Sequence, residues 1–387
     1  MKYKINLCDE YRCTQCFACQ QICPKHCITR KESDAGFFIP EIDRKVCIEC
    51  GACMSVCHKL EGKVTLQDPI CAYACWTVNL QDREHSSSGG AFSAMATAVL
   101  RSGGVVFGAM MNHYLEVKHI MIDKLEDIRL LQGSKYLQSE IFNTYKDVKQ
   151  EVKQNKLVLF TGTPCQVAGL YAFLKSKPKN LYTCDLVCHG VPSQKAFDIY
   201  VNKIGIRKNS KSVAFRFTKG WGFQMSRCLK SSTTTEDSKR LIYPKKDYYI
   251  RAFKQGLMFN ESCYSCPYAQ SKRVSDVTIA DYWGLGTMQP FTHSTRKGIS
   301  LMLINNERGV CLLNLCGDVL YKEKRLMKEA IQGNGNLGAP SKRPVGRDTY
   351  YEDSINMGIA ELQKKYHITP VLRDYIRIFK QYINSFR

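Results

Sequence analysis

The chain has 387 residues, 20 of them cysteine, and a formal net charge of +21. That length allows two or three domains around a sizeable core and excludes a small disulfide-stapled fold. The opening Met-Lys-Tyr-Lys-Ile-Asn-Leu-Cys lacks the apolar stretch of a secretory signal, no apolar run reaches membrane-spanning length, and cluster thiols need a reducing compartment, so a cytoplasmic protein is expected.

Residues 1–66 form the first predicted unit. They contain Cys13-Thr-Gln-Cys16-Phe-Ala-Cys19-Gln-Gln-Ile-Cys23-Pro24 and, 34 residues later, Cys47-Ile-Glu-Cys50-Gly-Ala-Cys53-Met-Ser-Val-Cys57. The spacing C-x2-C-x2-C-x3-C is that of bacterial two-cluster ferredoxins, in which three thiolates on a tight loop hold one 4Fe-4S cube and the fourth serves the other cube. Cys13, Cys16, Cys19 and Cys57 are therefore assigned to one cluster, and Cys47, Cys50, Cys53 and Cys23 to the second. Zinc fingers separate their cysteine pairs widely. Two complete copies of this run also fit a disulfide knot poorly. The second run ends Cys57-His58 where Cys-Pro is usual, which removes a turn-favouring ring and no ligand. Residues 37–42, between the loops, read as a strand.

Residues 1–64 hold 10 basic and 8 acidic side chains, so the basic excess falls on the body. A basic surface attracts nucleic acid, an anionic membrane or an acidic protein. No RRM or helix-turn-helix signature is visible, so nucleic acid is not expected. An acidic electron carrier such as a ferredoxin fits.

Asp68-Pro69 marks the boundary to the body, which divides into residues 67–150, residues 151–316 and a C-terminal extension, 317–387. A helix is predicted over 91–100, closed by Gly103-Gly104. Strands are predicted over 105–111, 118–122, 157–160 and 182–188, with helices over 146–153 and about 164–174. This alternation predicts an α/β body behind a ferredoxin-like front, α+β / α/β overall. From residue 208 the pattern changes. Residues 213–217 alternate, 231–239 form a polar loop, 277–280 and 299–304 are strand-like, and 333–347 are Gly/Pro-rich and irregular. Residues 371–387 place Leu372, Ile376, Phe379, Ile383 and Phe386 on one helical face. Such a helix packs on its own body, on a partner subunit or second copy, or on a membrane surface.

Ser87, Ser88, Gly89 and Gly90 precede the 91–100 helix, where free N–H groups and the dipole suit a phosphate, although Ser-Gly clusters also make ordinary turns. Thr161, Gly162, Thr163 and Gln166 repeat the arrangement around Pro164. Two such nests point to a dinucleotide without a G-x-G-x-x-G fingerprint. Ser134, Lys135, Tyr136 and Gln138 add a hydroxyl, a cation, an aromatic ring and an amide. Cys263 and Cys266 form a C-x2-C pair that needs two partners to hold a cube, and Cys165 and Cys188 are the candidates; a redox dithiol or buried free thiols are the other readings. His189 is a candidate proton donor or a structural histidine. Cys71 and Cys75 are candidates for partner contact. Cys8, Cys27, Cys184, Cys228, Cys311 and Cys316 read as small hydrophobes.

Ser87-Ser-Gly-Gly90, Gly133-Ser-Lys-Tyr136, Gly162-Thr-Pro-Cys-Gln166, Cys188-His-Gly-Val-Pro192, Gly220-Trp221, Ser262-Cys-Tyr-Ser-Cys266 and Arg273-Val-Ser-Asp276 through Asp281-Tyr-Trp-Gly284 together resemble the beta subunit of coenzyme F-420 hydrogenase/dehydrogenase. The resemblance covers about residues 67–310. It implies FAD surrounded by the 87–90, 133–138 and 161–166 segments, with Lys135 countering flavin charge, and a third 4Fe-4S cluster at Cys165, Cys188, Cys263 and Cys266. The expected function is an iron–sulfur flavoprotein oxidoreductase carrying electrons from a ferredoxin-type donor to a small organic substrate. The alternatives are an F-420-dependent subunit, an electron-relay subunit without its own substrate, and an iron–sulfur sensor binding nucleic acid.

Overall fold

A computed structural model describes residues 5–60, 64–216, 223, 225–229, 239–376 and 379. In the front unit, β1 (Ile28–Glu32) and β2 (Phe38–Ile42) form an antiparallel hairpin with Ile28 opposite Ile42. The body strands are β3 (Cys71–Thr77), β4 (Val105–Met111), β5 (Val117–Ile122), β6 (Val158–Gly162), β7 (Leu181–Leu186), β8 (Ser210–Ala214), β9 (Ser226–Leu229), β10 (Lys239–Leu241), β11 (Val277–Asp281), β12 (Ser300–Ile304) and β13 (Leu320–Arg325). Strands β8 to β10 make a small antiparallel sheet, and the other body strands make one eight-stranded sheet in the order β13-β3-β12-β11-β7-β6-β4-β5.

The centre of that sheet, β4, β6, β7 and β11, is parallel. Strands buried on both faces must be apolar along their whole length, and Val158-Leu159-Phe160 shows this. Leu159 faces the helices Ala91–Arg101 and Glu307–Leu315 with Val106, Cys184 and Val277. Val158 and Phe160 face the helices Thr144–Lys153 and Pro164–Leu174 with Val105, Phe107 and Leu181. Neither β3 nor β13 is among the predicted strands. The alternation in β3 is carried by the small residues Ala72 and Ala74, both fully enclosed. The charged edge strand β13 reads Leu-Tyr-Lys-Glu-Lys-Arg, a composition that discourages edge-to-edge pairing. Buried Cys75 lies inside the body, where it cannot meet a partner.

The predicted polar loop at 231–239 and Gly220-Trp221 fall almost entirely outside the described residues, as does much of the predicted helix at 371–387. Among the described residues no helix is long and apolar enough to cross a membrane.

The front unit is docked on the body by specific contacts. Ala18 and Val56 enter the same apolar cluster as helix Pro164–Leu174. Gln21 Oε1 accepts from the backbone N–H of Tyr145, 3.1 Å away, at the start of helix Thr144–Lys153. Asn260 Nδ2 donates to the carbonyl of Cys13 at 3.1 Å, and Arg30 pairs with Glu140. A close approach is at Gly169, where a Cβ atom would lie 2.7 Å from the Tyr145 hydroxyl and 2.9 Å from Cys16 Cβ. Gly169→Val is therefore expected to overpack this junction and cost about 1–3 kcal/mol. A lower urea midpoint, with faster proteolytic release of the front unit, checks this; an unchanged midpoint contradicts it.

Candidate functional site

Both cysteine runs curl the same way. Gln15 and Phe17 in the first, and Glu49 and Gly51 in the second, take positive φ at matching positions, with values of 57°, 52°, 54° and 74°. Alternating left-handed residues bend the backbone into a loop that turns its cysteines inward. Each loop then runs into a short helix, Ala18–Ile22 or Ala52–Ser55. Phe17 is not glycine, and its ring is covered by the Arg30 guanidinium at 4.0 Å.

Two cavities result. Cys13, Cys16, Cys19 and Cys57 line the first, with Leu7, Phe17 and Val56 as apolar walls. Cys23, Cys47, Cys50 and Cys53 line the second, with Ile5, Ile28 and Ile42. Thr14, His58 and Lys59 also line the first and Lys25 the second, yet each set of four thiols around a largely apolar volume fits a cube held at its corners. Among the described residues no three His, Cys, Asp or Glu side chains gather tightly enough to hold a single ion. The two cavities differ in exposure. Cys50 is exposed, whereas Cys16 is pressed against Gly169. Cys8 and Cys27 also line the cavities, one in each, so they are not the isolated small hydrophobes expected from the sequence.

The four body cysteines converge behind this junction. Cys165 lies in the first turn of helix Pro164–Leu174, following β6, and Cys188 follows β7. Burial, then the neighbouring thiols Cys165 and Cys266, push Cys188 up to about 12; burial, then Cys266, pushes Cys165 up to about 11. Cys263 is raised well above the usual thiol range by burial and by Cys188, Cys165 and Cys266. A metal bound there must displace these protons. The cysteine loop is anchored by Arg273, whose guanidinium bonds the carbonyl of Tyr268 at 3.0 Å and Asp185 at 2.9 Å, both charges being enclosed. Asp276 accepts from the backbone N–H and hydroxyl of Thr183, at 2.8 and 2.9 Å, and ties β11 to β7. The Arg273-Val-Ser-Asp276 motif is thus a scaffold for the thiols.

His58 has a role that the sequence did not reveal. It is buried, with Nε2 at 2.9 Å from Thr14 Oγ1 and Nδ1 at 2.6 Å from the hydroxyl of Tyr268. It therefore bridges the first cysteine loop and the Cys263–Cys266 loop. Burial, helped by Lys59, pushes its pKa down to about 3, so the ring is neutral and donates one hydrogen bond while accepting the other. The missing proline at this position was the available signal.

The remaining candidates lie along the carboxyl edge of the parallel strands, where α/β sheets hold ligands. Ser87 Oγ accepts from the backbone N–H of Ser134 at 2.7 Å, and Ser88 donates to the carbonyl of Ile299 at 2.8 Å. Gly89 is squeezed against the backbone of Cys75 and Ser300, and Gly90 takes φ 84° before the helix. Gly162 ends β6. Thr163 and Gln166 cap helix Pro164–Leu174 reciprocally, and Gln166 also donates to the carbonyl of Ser139 at 3.1 Å. These two side chains are spent on the scaffold. Thr161 Oγ1 donates to the carbonyl of Phe107, and the backbone N–H of Gln138 donates to the carbonyl of Pro192 at 2.8 Å.

Lys135 Nζ donates to the carbonyls of Leu131 and Gln132, both at 2.9 Å, while burial pushes its pKa down to about 7. Tyr136 is fixed by Arg216, which also binds Asp281 at 2.7 Å. His189 has an exposed edge, yet desolvation lowers its pKa against the pull of Asp281, so the ring is neutral at neutral pH. As a proton donor it would have to act through its neutral N–H.

The two thiol cages define an iron–sulfur electron-transfer class. Residues 12–59 match the 4Fe-4S dicluster domain, and residues 155–326 match the family described as the C terminus of the coenzyme F420 hydrogenase/dehydrogenase beta subunit. The chain joins a 4Fe-4S dicluster domain to a domain of that family, the domain makeup of an iron–sulfur oxidoreductase subunit. A subunit of the F(420)H(2) dehydrogenase of Methanosarcina mazei is 22% identical over 163 residues, covering 40% of this chain and 46% of the relative. An uncharacterized protein of Methanocaldococcus jannaschii, MJ1349, is 26% identical over 200 residues, covering 43% and 54%. The chain thus spans about half the length of these curated relatives. A chain of the F420-reducing NiFe hydrogenase complex from Methanosarcina barkeri superposes with a TM-score of 0.48 at 16% identity, covering 78% of this chain and 93% of that one.

His119 generates a pH prediction. It is buried, bonded to Ser139 at 2.8 Å and to the carbonyl of Thr161 at 2.9 Å, and burial lowers its pKa from 6.5 to about 4. The unfolded chain then binds a proton that the folded chain refuses. Stability should fall as pH drops from about 6.5 towards about 4, by at most about 1.4 kcal/mol per pH unit for this group. Urea midpoints across that range should show a shallower acid slope for His119→Gln than for wild type; equal slopes contradict it.

Proposed function

We propose that the chain is an iron–sulfur flavoprotein oxidoreductase that takes single electrons from a ferredoxin-type acidic carrier and delivers pairs to a small organic substrate. The observation that carries this reading is the contact of Cys16 with Gly169, four residues along the helix from Cys165. One rigid element thereby joins the front thiols to the body thiols. Four-iron clusters move electrons singly, and FAD pairs them for two-electron chemistry.

The chain's residues give the path an order. Cys47, Cys50, Cys53 and Cys23 would hold the outer cluster, where exposed Cys50, Ile48 and Val46 meet solvent and an incoming carrier. Cys13, Cys16, Cys19 and Cys57 would hold the inner one. Cys165, Cys188, Cys263 and Cys266, each half-buried, would hold a third. FAD would lie along the carboxyl edge. There an anionic group would hold the charge on Lys135 that burial otherwise disfavours, and Gln132 Oε1 is buried without a partner among the described residues. Neutral His189 would donate its ring N–H to the substrate.

The likeness to a component of the Methanosarcina mazei F(420)H(2) dehydrogenase supports a second reading, an F420-dependent subunit working with a partner subunit. A relay subunit without flavin is the third.

Anaerobically purified full chain should carry about twelve irons, matching sulfide and one acid-releasable flavin. Cys263→Ser should lose about four irons and leave about eight. Brown protein without releasable yellow pigment would reduce the chain to a relay, and unchanged iron in Cys263→Ser would remove the third cluster. Reduction of F420 by purified protein with a ferredoxin source would select the second reading.

A further inference from the structure

A four-iron cube offers four irons, and four thiolates satisfy it. Each front cavity nevertheless holds five cysteines. Cys8 joins Cys13, Cys16, Cys19 and Cys57 in one. Cys27 joins Cys23, Cys47, Cys50 and Cys53 in the other. The extra thiols stand in equivalent places. Cys27 lies against Cys23, sulfur to sulfur 3.4 Å, and also faces Cys47. Cys8 faces Cys13 and Cys57 across the first cavity. In both cages the fifth cysteine therefore faces the first cysteine of the local run and the one lent by the other run.

The sequence positions of the two are unrelated. Cys8 precedes its run, on the segment leading into it, whereas Cys27 follows Cys23 and leads into β1. Two different stretches of chain have delivered the same group to the same place in two cages. Cys27 is buried and Cys8 half-buried, so neither is placed to serve as a surface thiol.

We propose that Cys8 and Cys27 are thiol donors, one per cluster, whose S–H groups hydrogen-bond the ligand sulfurs and raise the reduction potential of the cluster they face. The physical basis is charge. Reduction adds an electron to a cluster that is already anionic, and a donor on the ligand sulfur withdraws density from it, favouring the reduced form. The contact to two ligands at once lets a single S–H group serve whichever sulfur carries more charge. This rests on the ligand assignment given above for the two front clusters.

The test uses the full chain, purified without oxygen, as wild type, Cys8→Ala, Cys27→Ala and the double variant. Iron and sulfide are counted, and cluster midpoints are read by redox titration followed by electron paramagnetic resonance. Iron should be unchanged in every variant. One midpoint should become more negative in Cys8→Ala, the other in Cys27→Ala, and both in the double variant. Cys8→Ser and Cys27→Ser keep a donor of similar size and should recover part of each shift. Unchanged or more positive midpoints in loaded variants overturn the inference alone. Loss of iron from Cys8→Ala or Cys27→Ala also overturns it, by making that cysteine a ligand. A wild-type protein without two reducible clusters would instead remove the ligand assignment beneath it.

Discussion

The join between the front unit and the body depends on one missing side chain. Helix Pro164–Leu174 has glycine at 169, and the space a Cβ would take is filled by Cys16 and the hydroxyl of Tyr145. That hydroxyl donates to the carbonyl of Gln166 at 2.8 Å, so the helix is gripped from the same side. A glycine inside a helix costs about 1 kcal/mol relative to alanine. Here the cost is offset by the apolar surface that Ala18 and Val56 bury against the same helix. The Cys165 end of that helix then has a defined position relative to the front loops.

Buried charge does the corresponding work on the body side. Arg273 and Asp185 are an enclosed pair, and such pairs contribute little net stability against an apolar replacement, although losing one partner is expensive. Their value is positional. Arg273 reaches Tyr268, Gln270, Thr278, Asp185 and Leu186, so the cysteine loop cannot shift along β7 without leaving a charge unpaired. His58 then connects that loop to the front unit without adding charge. A proline after Cys57 would have shaped the turn but offered no donor or acceptor to Tyr268. The substitution that looks like a weakening of the repeat is a bond between the two halves of the molecule.

The legible parts of the sequence are those in which one stretch of chain carries its whole message. The two C-x2-C-x2-C-x3-C runs separate their cysteines into two sets, and the same sets line two cavities. The parallel strands β4, β6 and β7 are legible because burial on both faces demands continuous apolar residues. Strands β3 and β13 are not, because one uses alanine as its core residue and the other is an edge strand whose pattern is mostly charge. The roles of His58 and Arg273 depend on partners far away in sequence, Tyr268 for His58 and Asp185 for Arg273. Thr163 and Gln166 show the converse. Their pattern resembles an anion nest, but a capping box uses the same residues to satisfy a helix end, and local sequence does not distinguish the two.

Exposure gives the thiol groups a direction that spacing alone does not. The two runs are near-copies, and on sequence grounds either could face the body. The structure breaks that equivalence through the residues between the cysteines. The second run has exposed Ile48 and half-buried Glu49 beside exposed Cys50, whereas the first has buried Thr14, Gln15 and Phe17 flanking Cys16. Phe17 takes the left-handed conformation that Gly51 takes freely in the other copy. A residue that large at positive φ is strained, and it persists because its ring is enclosed and covered by Arg30. Both copies hold a non-glycine residue at positive φ, Gln15 or Glu49, but only the inner copy adds a second, Phe17, where packing against the body can sustain it; the outer copy has Gly51 there. The two near-identical loops thereby differ, one packed on the body and the other facing solvent.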